Sequence, residues 1–290
     1  MKKEFFLLLL LSFLALPLEL SAQDSTQGLS SSVSLFPDYE KTLSFVEFSL
    51  SFHEFDYKED LPIPQKSTES GFLAGGRISF HFQKNIYLGA SLDITPSDTD
   101  YIGTTQSGMP VKDITENIFI TERNLIGYDI LAHTKGFLRI YPYLGLGVHY
   151  WERRLGGAAP YKEVYSWGIL PIGIRTTLAL TKKWLAILDF SAQIMFGGEI
   201  EVFLSELDPS YRDVTMDLGN RVGFRGEITV VRRFLKHLGG IFSFWIEYIE
   251  IGKSNAKVVF QNGAPTNTVI YEPSSRSWDF GFNIGLLITF

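Results

Sequence analysis

The chain contains no cysteine, which excludes thiolate chemistry and cysteine metal sites, and its candidate residues for acid–base or metal chemistry are carboxylates and five histidines. Asp98 and Asp100, in the segment SDTDY, are two close carboxylates in a long polar stretch, where we expect them to be solvated at the tip of a loop. His81 and His149 could in principle bind a metal together, although we expect them to be hydrogen-bonded interior histidines. Neither HExxH nor GxSxG occurs. We therefore predict a protein that is not an enzyme and holds no metal or cofactor.

A larger set of charged and histidine side chains recurs at alternate positions along apolar segments, which puts the set on one face of predicted strands. The set carries both signs of charge, so its members can pair across an enclosed space. We predict that the following residues form a lumen-facing polar network: Glu47, Arg77, His81, Asp93, Arg139, His149, Arg175, Asp189, Arg221, Arg225, Glu227, Glu247 and Asp279.

The segments that carry these residues alternate with a period of two, the signature of a β-strand. In the segment LSFVEFSLSFHEF, for example, Val46, Phe48, Leu50 and Phe52 fall on one side and Glu47 falls on the other. Around residues 117–132 the period drifts, as it does at a bulge, and over 164–180 only the second half alternates well.

About ten such segments occur, each long enough to cross a bilayer as a tilted strand. Their connections alternate between short turns and longer polar stretches, which is typical of an outer-membrane barrel. We predict an all-β fold, a transmembrane antiparallel up-and-down β-barrel of about ten strands, with eight or twelve as alternatives. The longer stretches are expected at 58–70, 96–116, 152–163, 202–217 and 252–276, the last with a protruding hairpin around Asn262-Gly263.

The amino terminus reads as a secretory signal peptide over residues 1–22, with Lys2 and Lys3 before an apolar run that is too short to span a membrane. A short lead follows over 23–42. Residues 43–290 are then a single barrel domain. The predicted location is the bacterial cell outer membrane.

Composition favours a barrel whose apolar face contacts lipid over a soluble β-protein whose apolar face forms a core. The chain is 45% hydrophobic and 14% aromatic, and the predicted strands are apolar on one face. The other face mixes glycine with charged residues, which would make a poor soluble core, whereas exposing the apolar face to water would invite aggregation. A formal net charge of −6 also argues against a nucleic-acid partner.

The last ten residues, GFNIGLLITF, resemble the C-terminal assembly signal of bacterial outer-membrane proteins. The resemblance implies recognition by the outer-membrane assembly machinery, and the residues that match the signal are Phe282, Ile284, Leu286, Ile288 and Phe290. The segment YPYLGLGVHY, over 141–150, also resembles a recurrent strand of the OmpA/OmpX-like small porin superfamily.

Enzymes of the outer-membrane barrel type are a poorer match. The omptin proteases pair two aspartates with a His-Asp pair on their loops; Asp98 and Asp100 match the first pair, but residues 205–220 contain no histidine. Barrel lipid A deacylases place a histidine and a serine two residues apart at a strand edge. No serine follows any of the five histidines at that spacing, although Ser51 and Ser79 precede His53 and His81 by two residues. An omptin-like or lipid-modifying enzyme is therefore the disfavoured alternative.

Two function classes remain open from the sequence. The first is a structural or surface-interaction barrel that acts through its long extracellular loops. The second is a narrow porin or small-solute channel with an arginine-rich lumen. The expected surroundings are outer-membrane lipid and the assembly machinery, and the expected oligomeric state is a monomer.

Overall fold

The computed structural model describes residues 44–62, 64–104, 109–132, 137–156 and 160–290. The predicted signal peptide and lead, as well as His133, lie outside these residues. Among the described residues, no helix is long and apolar enough to cross a membrane. The helical structure in this part of the chain is a single 3₁₀ turn at Leu204–Glu206.

Ten long strands and three short ones make up the fold. The long strands are β1 (Phe45–Glu59), β2 (Ser67–Gln83), β3 (Ile86–Thr104), β4 (Pro110–Tyr128), β5 (Leu138–Leu155), β6 (Tyr161–Ala179), β7 (Trp184–Val202), β9 (Val222–Arg233), β10 (Leu238–Ile251) and β13 (Ser275–Thr289). The short strands are β8 (Val214–Asp217), β11 (Lys257–Gln261) and β12 (Ala264–Ile270).

The ten long strands close into a barrel. Their order around the barrel is β6-β5-β4-β3-β2-β1-β13-β10-β9-β7, and the pairing of β7 with β6 closes the barrel. All these pairs are antiparallel, and β1 pairs with β13 along its whole length, from Phe45 opposite Thr289 to Glu59 opposite Ser275. The predicted ten-stranded antiparallel barrel is thus confirmed, and closure gives each long strand a hydrogen-bonded neighbour on both sides.

The two ends of the barrel differ. At one end, here called the turn end, the strands are joined by 84–85, 129–137, 180–183 and 234–237. At the other, the loop end, the predicted long loops are shorter than expected because the strands continue into them. Most of the predicted loop 96–116, for example, belongs to β3 and β4. The predicted hairpin does form, as β11 and β12, but as a separate two-stranded sheet rather than a continuation of β10 and β13.

The outer face of the barrel carries an apolar band. On β1 the outward side chains are Val46, Phe48, Leu50 and Phe52, whereas further toward the loop end they become Glu54, Asp56 and Lys58. The inward pattern reverses at the same height, from serine and glutamate to buried Phe55 and Tyr57. This double reversal marks where an apolar surrounding ends and water begins.

A β-bulge occurs in the fold, but not where the sequence pattern suggested it. The pairing of β4 with β3 and β5 runs through residues 117–127 without a register shift. The shift lies between β6 and β7, at Ser166 and Gly168, where Gly197 of β7 is the extra residue and has a φ of 59°. The extra residue lies on β7, so the alternation of β6 itself is not interrupted. The first half of β6 departs from the polar-in pattern because its inward residues Tyr165, Trp167 and Ile169 are apolar.

Candidate functional site: the lumen of the barrel

The middle of the lumen is occupied by charged side chains that the strand pleat turns inward. Arg77 on β2 lies directly opposite Asp93 on β3, and Arg225 on β9 lies directly opposite Glu247 on β10. Glu227 follows Arg225 by two residues and therefore shares its face. Register alone thus brings both signs of charge to one level of the barrel.

These residues, with Arg123 on β4, form a closed ring in which three arginines and three carboxylates alternate. On one side Asp93 bridges Arg77 and Arg123, and on the other Glu247 bridges Arg123 and Arg225; Glu227 closes the ring from Arg225 back to Arg77. The N–O distances around the ring are 2.6 Å (Arg77–Asp93), 3.5 Å (Asp93–Arg123), 2.6 Å (Arg123–Glu247), 2.8 Å (Glu247–Arg225), 2.9 Å (Arg225–Glu227) and 3.1 Å (Glu227–Arg77).

The ring is electrically balanced and largely removed from solvent, with side-chain exposures between 8% and 20%. Burying an isolated charge is expensive, and each member here has two oppositely charged neighbours that offset this penalty. The guanidinium of Arg225 also lies 4.6 Å from the centre of the Trp245 ring. The ring therefore crosses the lumen as a set of paired charges, in which Nε of Arg123 is a buried donor to which the described residues offer no hydrogen-bond partner.

Below the ring, toward the turn end, a second group of polar side chains is also paired. Arg175 on β6 contacts Asp189 on β7 at 3.1 Å, and the Tyr143 hydroxyl donates to the same aspartate at 2.5 Å. The carboxylate of Glu47 accepts hydrogen bonds from Ser49 at 2.7 Å and Ser79 at 2.6 Å. These contacts fix the carboxylates of this half of the lumen.

The two histidines considered as a metal pair are not brought together. His81 hydrogen-bonds to Ser79 and Tyr87 on the turn side of the ring. His149, on the loop side, hydrogen-bonds to Thr121 at 2.8 Å and stacks on Trp167. Within the described part of the chain, no group of three or more His, Cys, Asp or Glu side chains is arranged to hold a metal ion.

Two small cavities, each of about 70 Å³, lie in the lumen. The loop-side cavity is lined by His53, His149, Trp245 and Asp279, and the turn-side cavity by Glu47, His81, Arg175 and Asp189; Arg77, Arg123 and Arg225 line both. The cavities thus lie on opposite sides of the ring. Each has room and polar partners for water molecules, but not for a continuous aqueous channel.

Apolar side chains fill both ends of the lumen. The turn end is packed by a cluster of buried side chains: Phe45, Ala179, Leu185, Ile187, Val231, Ile241 and Leu287. The loop end is packed by a larger, aromatic-rich cluster: Phe55, Tyr57, Leu73, Trp151, Tyr165, Trp167, Ile169, Met195, Ile200, Val202, Val214, Met216, Leu218 and Ile251.

The loop-end cluster surrounds a buried arginine that sequence reasoning missed. Arg153 contacts Glu69 at 2.8 Å and Glu163 at 3.0 Å, and Glu59 approaches it at 4.0 Å. Glu272, in the connection after β12, accepts hydrogen bonds from the hydroxyls of two buried tyrosines nearby. Burial, with the charges of Glu59 and Glu163, raises the pKa of Glu272 well above its ordinary value.

The loop end is covered by the segment between β7 and β9, which is tied to the β11–β12 hairpin. The Arg212 amide donates to the Phe260 carbonyl at 3.0 Å, and the Asn262 amide donates to the Ser210 carbonyl at 2.8 Å. Val259, on the hairpin, is buried. The hairpin and the segment after β7 are therefore held to each other by backbone hydrogen bonds.

Most of the predicted lumen residues line at least one of the two cavities, and Arg139 and Arg221 line neither. Arg139 lies near the turn end, where it contacts Asp129 at 2.7 Å. Arg221 was placed wrongly: it precedes β9, its side chain is 45% exposed, and it contacts Glu250 at the surface. The predicted lumen residues inside the barrel are Glu47, Arg77, His81, Asp93, His149, Arg175, Asp189, Arg225, Glu227, Glu247 and Asp279.

The aspartates that resembled a protease pair lie elsewhere. Asp98 and Asp100 are exposed on the outer face of β3, beyond the apolar band, and Asp98 lies opposite Glu116 of β4. The residues of the predicted assembly signal face outward on β13, and the ring of Phe290 stacks on that of Phe80 at 5.7 Å.

Comparison with known proteins gives no family for the chain. No family model and no curated protein matches it. Among solved structures it is similar to the outer membrane protein OprG from Pseudomonas aeruginosa, at 13% identity over 86% of this chain and 97% of that one, with a TM-score of 0.37. It is also similar to the outer membrane protein AlkL, at 12% identity over 93% and 97% of the two chains, with a TM-score of 0.34.

A third similar structure is a mutant of TodX, a monoaromatic hydrocarbon channel, at 10% identity over 88% of this chain and 92% of that one, with a TM-score of 0.36. At such low identities and scores, these likenesses assign no ligand. The fold is established by the strand pairing and the outer face of this chain. On those grounds the protein is a transmembrane antiparallel β-barrel of ten strands.

Proposed function

We propose that the protein is an outer-membrane β-barrel with a closed lumen, which acts at the cell surface through its loop end and has no catalytic role. The observation that carries the proposal is the ring of Arg77, Asp93, Arg123, Glu247, Arg225 and Glu227 across the lumen. Barrels of about eight strands are filled by their side chains, whereas porins with an aqueous channel have about sixteen. The apolar clusters at both ends add to the closure.

The proposed orientation puts the turn end in the periplasm and the loop end outside the cell. In outer-membrane barrels the short connections are periplasmic and the longer ones extracellular. The outward alternation of β13 up to Phe290 supports recognition by the assembly machinery, and the apolar band supports contact with outer-membrane lipid. Membership of the OmpA/OmpX-like superfamily stays a prediction.

Orientation and location can be tested with single cysteines, because the chain has none of its own. Asn267→Cys places a thiol on the exposed hairpin at the loop end, and Asn85→Cys places one in the exposed turn between β2 and β3. In intact cells, a membrane-impermeant maleimide should label the first variant and not the second. Both should react after the outer membrane is permeabilised. Labelling of Asn85→Cys alone would reverse the proposed orientation.

The closed lumen can be tested by the flux of small solutes through the refolded protein in liposomes. A closed barrel predicts the same efflux of ions and small sugars as protein-free liposomes. Rapid efflux with a size limit would instead support the alternative of a narrow channel.

A further inference from the structure

One strand of the barrel breaks the apolar band. The outward side chains of β4 run Ile118, Ile120, Glu122, Asn124 and Ile126, so a carboxylate and an amide lie between isoleucines on both sides. Tyr128 ends the run at the turn end. Since the run covers the length of a membrane-crossing strand, Glu122 lies roughly at its middle.

The polar pair is flanked sideways by apolar residues as well. Glu122 lies opposite Leu92 of β3 and Val148 of β5, and Asn124 lies opposite Ala90 and Leu146 of the same strands. The apolar band consists of outward side chains of the long strands. Within the part of that band that the structure describes, Glu122 is the one side chain with a carboxyl, ammonium or guanidinium group. The pair is therefore isolated within an otherwise apolar wall.

The two side chains bond to each other. Asn124 donates from Nδ2 to Oε1 of Glu122 at 2.8 Å. This hydrogen bond uses one amide hydrogen and one carboxylate oxygen, so a donor and further acceptors of the pair remain. In hydrocarbon such groups have no water to satisfy them, and ionisable side chains at this depth are unfavourable unless they have a partner.

We propose that this face of the barrel, defined as the outward side chains of β4 with their neighbours on β3 and β5, is the interface of a dimer formed with a second copy of the chain. A two-fold axis along the membrane normal brings the same pair of both copies together. Each copy then offers the other both a donor and an acceptor, so an identical face is chemically complementary.

The proposal departs from the sequence-based expectation of a monomer. It accounts for the drift of the period around 117–132, which comes from Glu122 and Asn124 and not from a bulge. A cationic side chain of a different membrane protein is the competing occupant. Identical copies are favoured because the face carries both halves of a hydrogen-bonding pair rather than a lone charge.

The first test is oxidative cross-linking of the full-length protein, refolded in lipid nanodiscs or vesicles. Ile120→Cys and Leu146→Cys place thiols beside the pair, and Phe244→Cys places one on β10, at the opposite wall of the ring. We expect a cross-linked dimer from at least one of the first two and none from Phe244→Cys. Cross-linking that is absent from both, or equal in all three, would overturn the proposal.

The second test separates the polar pair from the apolar face around it. Further substitutions are made in the cysteine variant that cross-links. Glu122→Leu and Asn124→Leu together should abolish the dimer. Glu122→Gln, which keeps a hydrogen-bonding group, should retain it. Both variants should fold, since leucine suits a lipid-facing position. Light scattering in detergent should give the mass of two chains for the protein with Glu122 and Asn124 intact, and the mass of one chain for the double leucine variant. A wild-type protein that is monomeric by light scattering, together with Ile120→Cys and Leu146→Cys variants that do not cross-link, would contradict self-association and point to a different partner.

Discussion

Arg77 on β2 and Glu227 on β9 contact each other across the lumen, with Nη1 of the arginine 3.1 Å from Oε2 of the glutamate. They are 150 residues apart in the chain and on non-adjacent strands. The contact joins the two walls of the barrel and closes the ring of alternating charges.

Removing one charge from the ring should destabilise the barrel. Arg77→Met leaves Asp93 and Glu227 short of a partner, and breaking a buried pair in this way costs about 3–5 kcal/mol of unfolding free energy. Arg221→Met is the control, because its exposed pair with Glu250 should be worth about 1 kcal/mol or less. Urea unfolding in vesicles measures both. Equal small losses would show that the ring contributes no specific stability.

The bulge between β6 and β7 should require a glycine. Gly197 has a φ of 59° and nothing within 4 Å of an added Cβ. An alanine there would therefore be strained by its left-handed backbone conformation and not by a steric clash. We expect Gly197→Ala to lower the unfolding free energy by about 1–2 kcal/mol. Gly226→Ala, where an added Cβ meets only ordinary contacts, should change it by much less. If the two variants were equally stable, the bulge would not need a left-handed residue.

The stability of the loop end should depend on pH through Glu272. Because burial and the charges of Glu59 and Glu163 raise its pKa in the folded state, folding favours the protonated carboxyl. The unfolding free energy should therefore fall as the pH rises from about 4.5, its unfolded pKa, through the higher folded pKa. Glu272→Gln should remove this part of the dependence. The measurement is the difference in unfolding free energy between the variant and wild type at pH 5 and pH 8; a constant difference would contradict the assignment.

Phe290, in the predicted assembly signal, should matter for assembly more than other lipid-facing aromatics. Phe290 stacks on Phe80 and lies at the predicted assembly signal, whereas Phe244 has similar exposure in the middle of β10. We expect Phe290→Ala to reduce the heat-modifiable folded fraction in cells, and Phe244→Ala to leave it nearly unchanged. Equal yields would argue against a special role for the terminal residue.

The barrel itself could be predicted from the sequence because an apolar outer face and a polar inner face give a clear period of two. Beyond the apolar band that signal disappears. On β3, Asp98 and Asp100 face outward while Thr95 and Thr99 face inward, so both faces are polar and the strand resembles a loop. The lengths of the strands at the loop end were therefore underestimated.

The candidate site was predicted only in part. Arg225, Glu227 and Glu247 were placed in the lumen by their alternation, but Arg123 was missed because the outward Glu122 and Asn124 on either side of it obscure the pattern of β4. Which charges meet across the lumen depends on the stagger of all ten strands, which no single segment encodes. Arg221 was misplaced because the alternation around β9 was extended one residue beyond the start of the strand.

The most direct test of the closed lumen is single-channel conductance of the refolded protein in a planar bilayer, measured beside Arg221→Ala and Arg225→Ala. Arg221 is outside the lumen and Arg225 is a member of the ring. The wild-type barrel and Arg221→Ala are predicted to insert and remain silent. A steady wild-type conductance that prefers anions, and that Arg225→Ala but not Arg221→Ala weakens, would contradict the closed lumen and make the protein a pore.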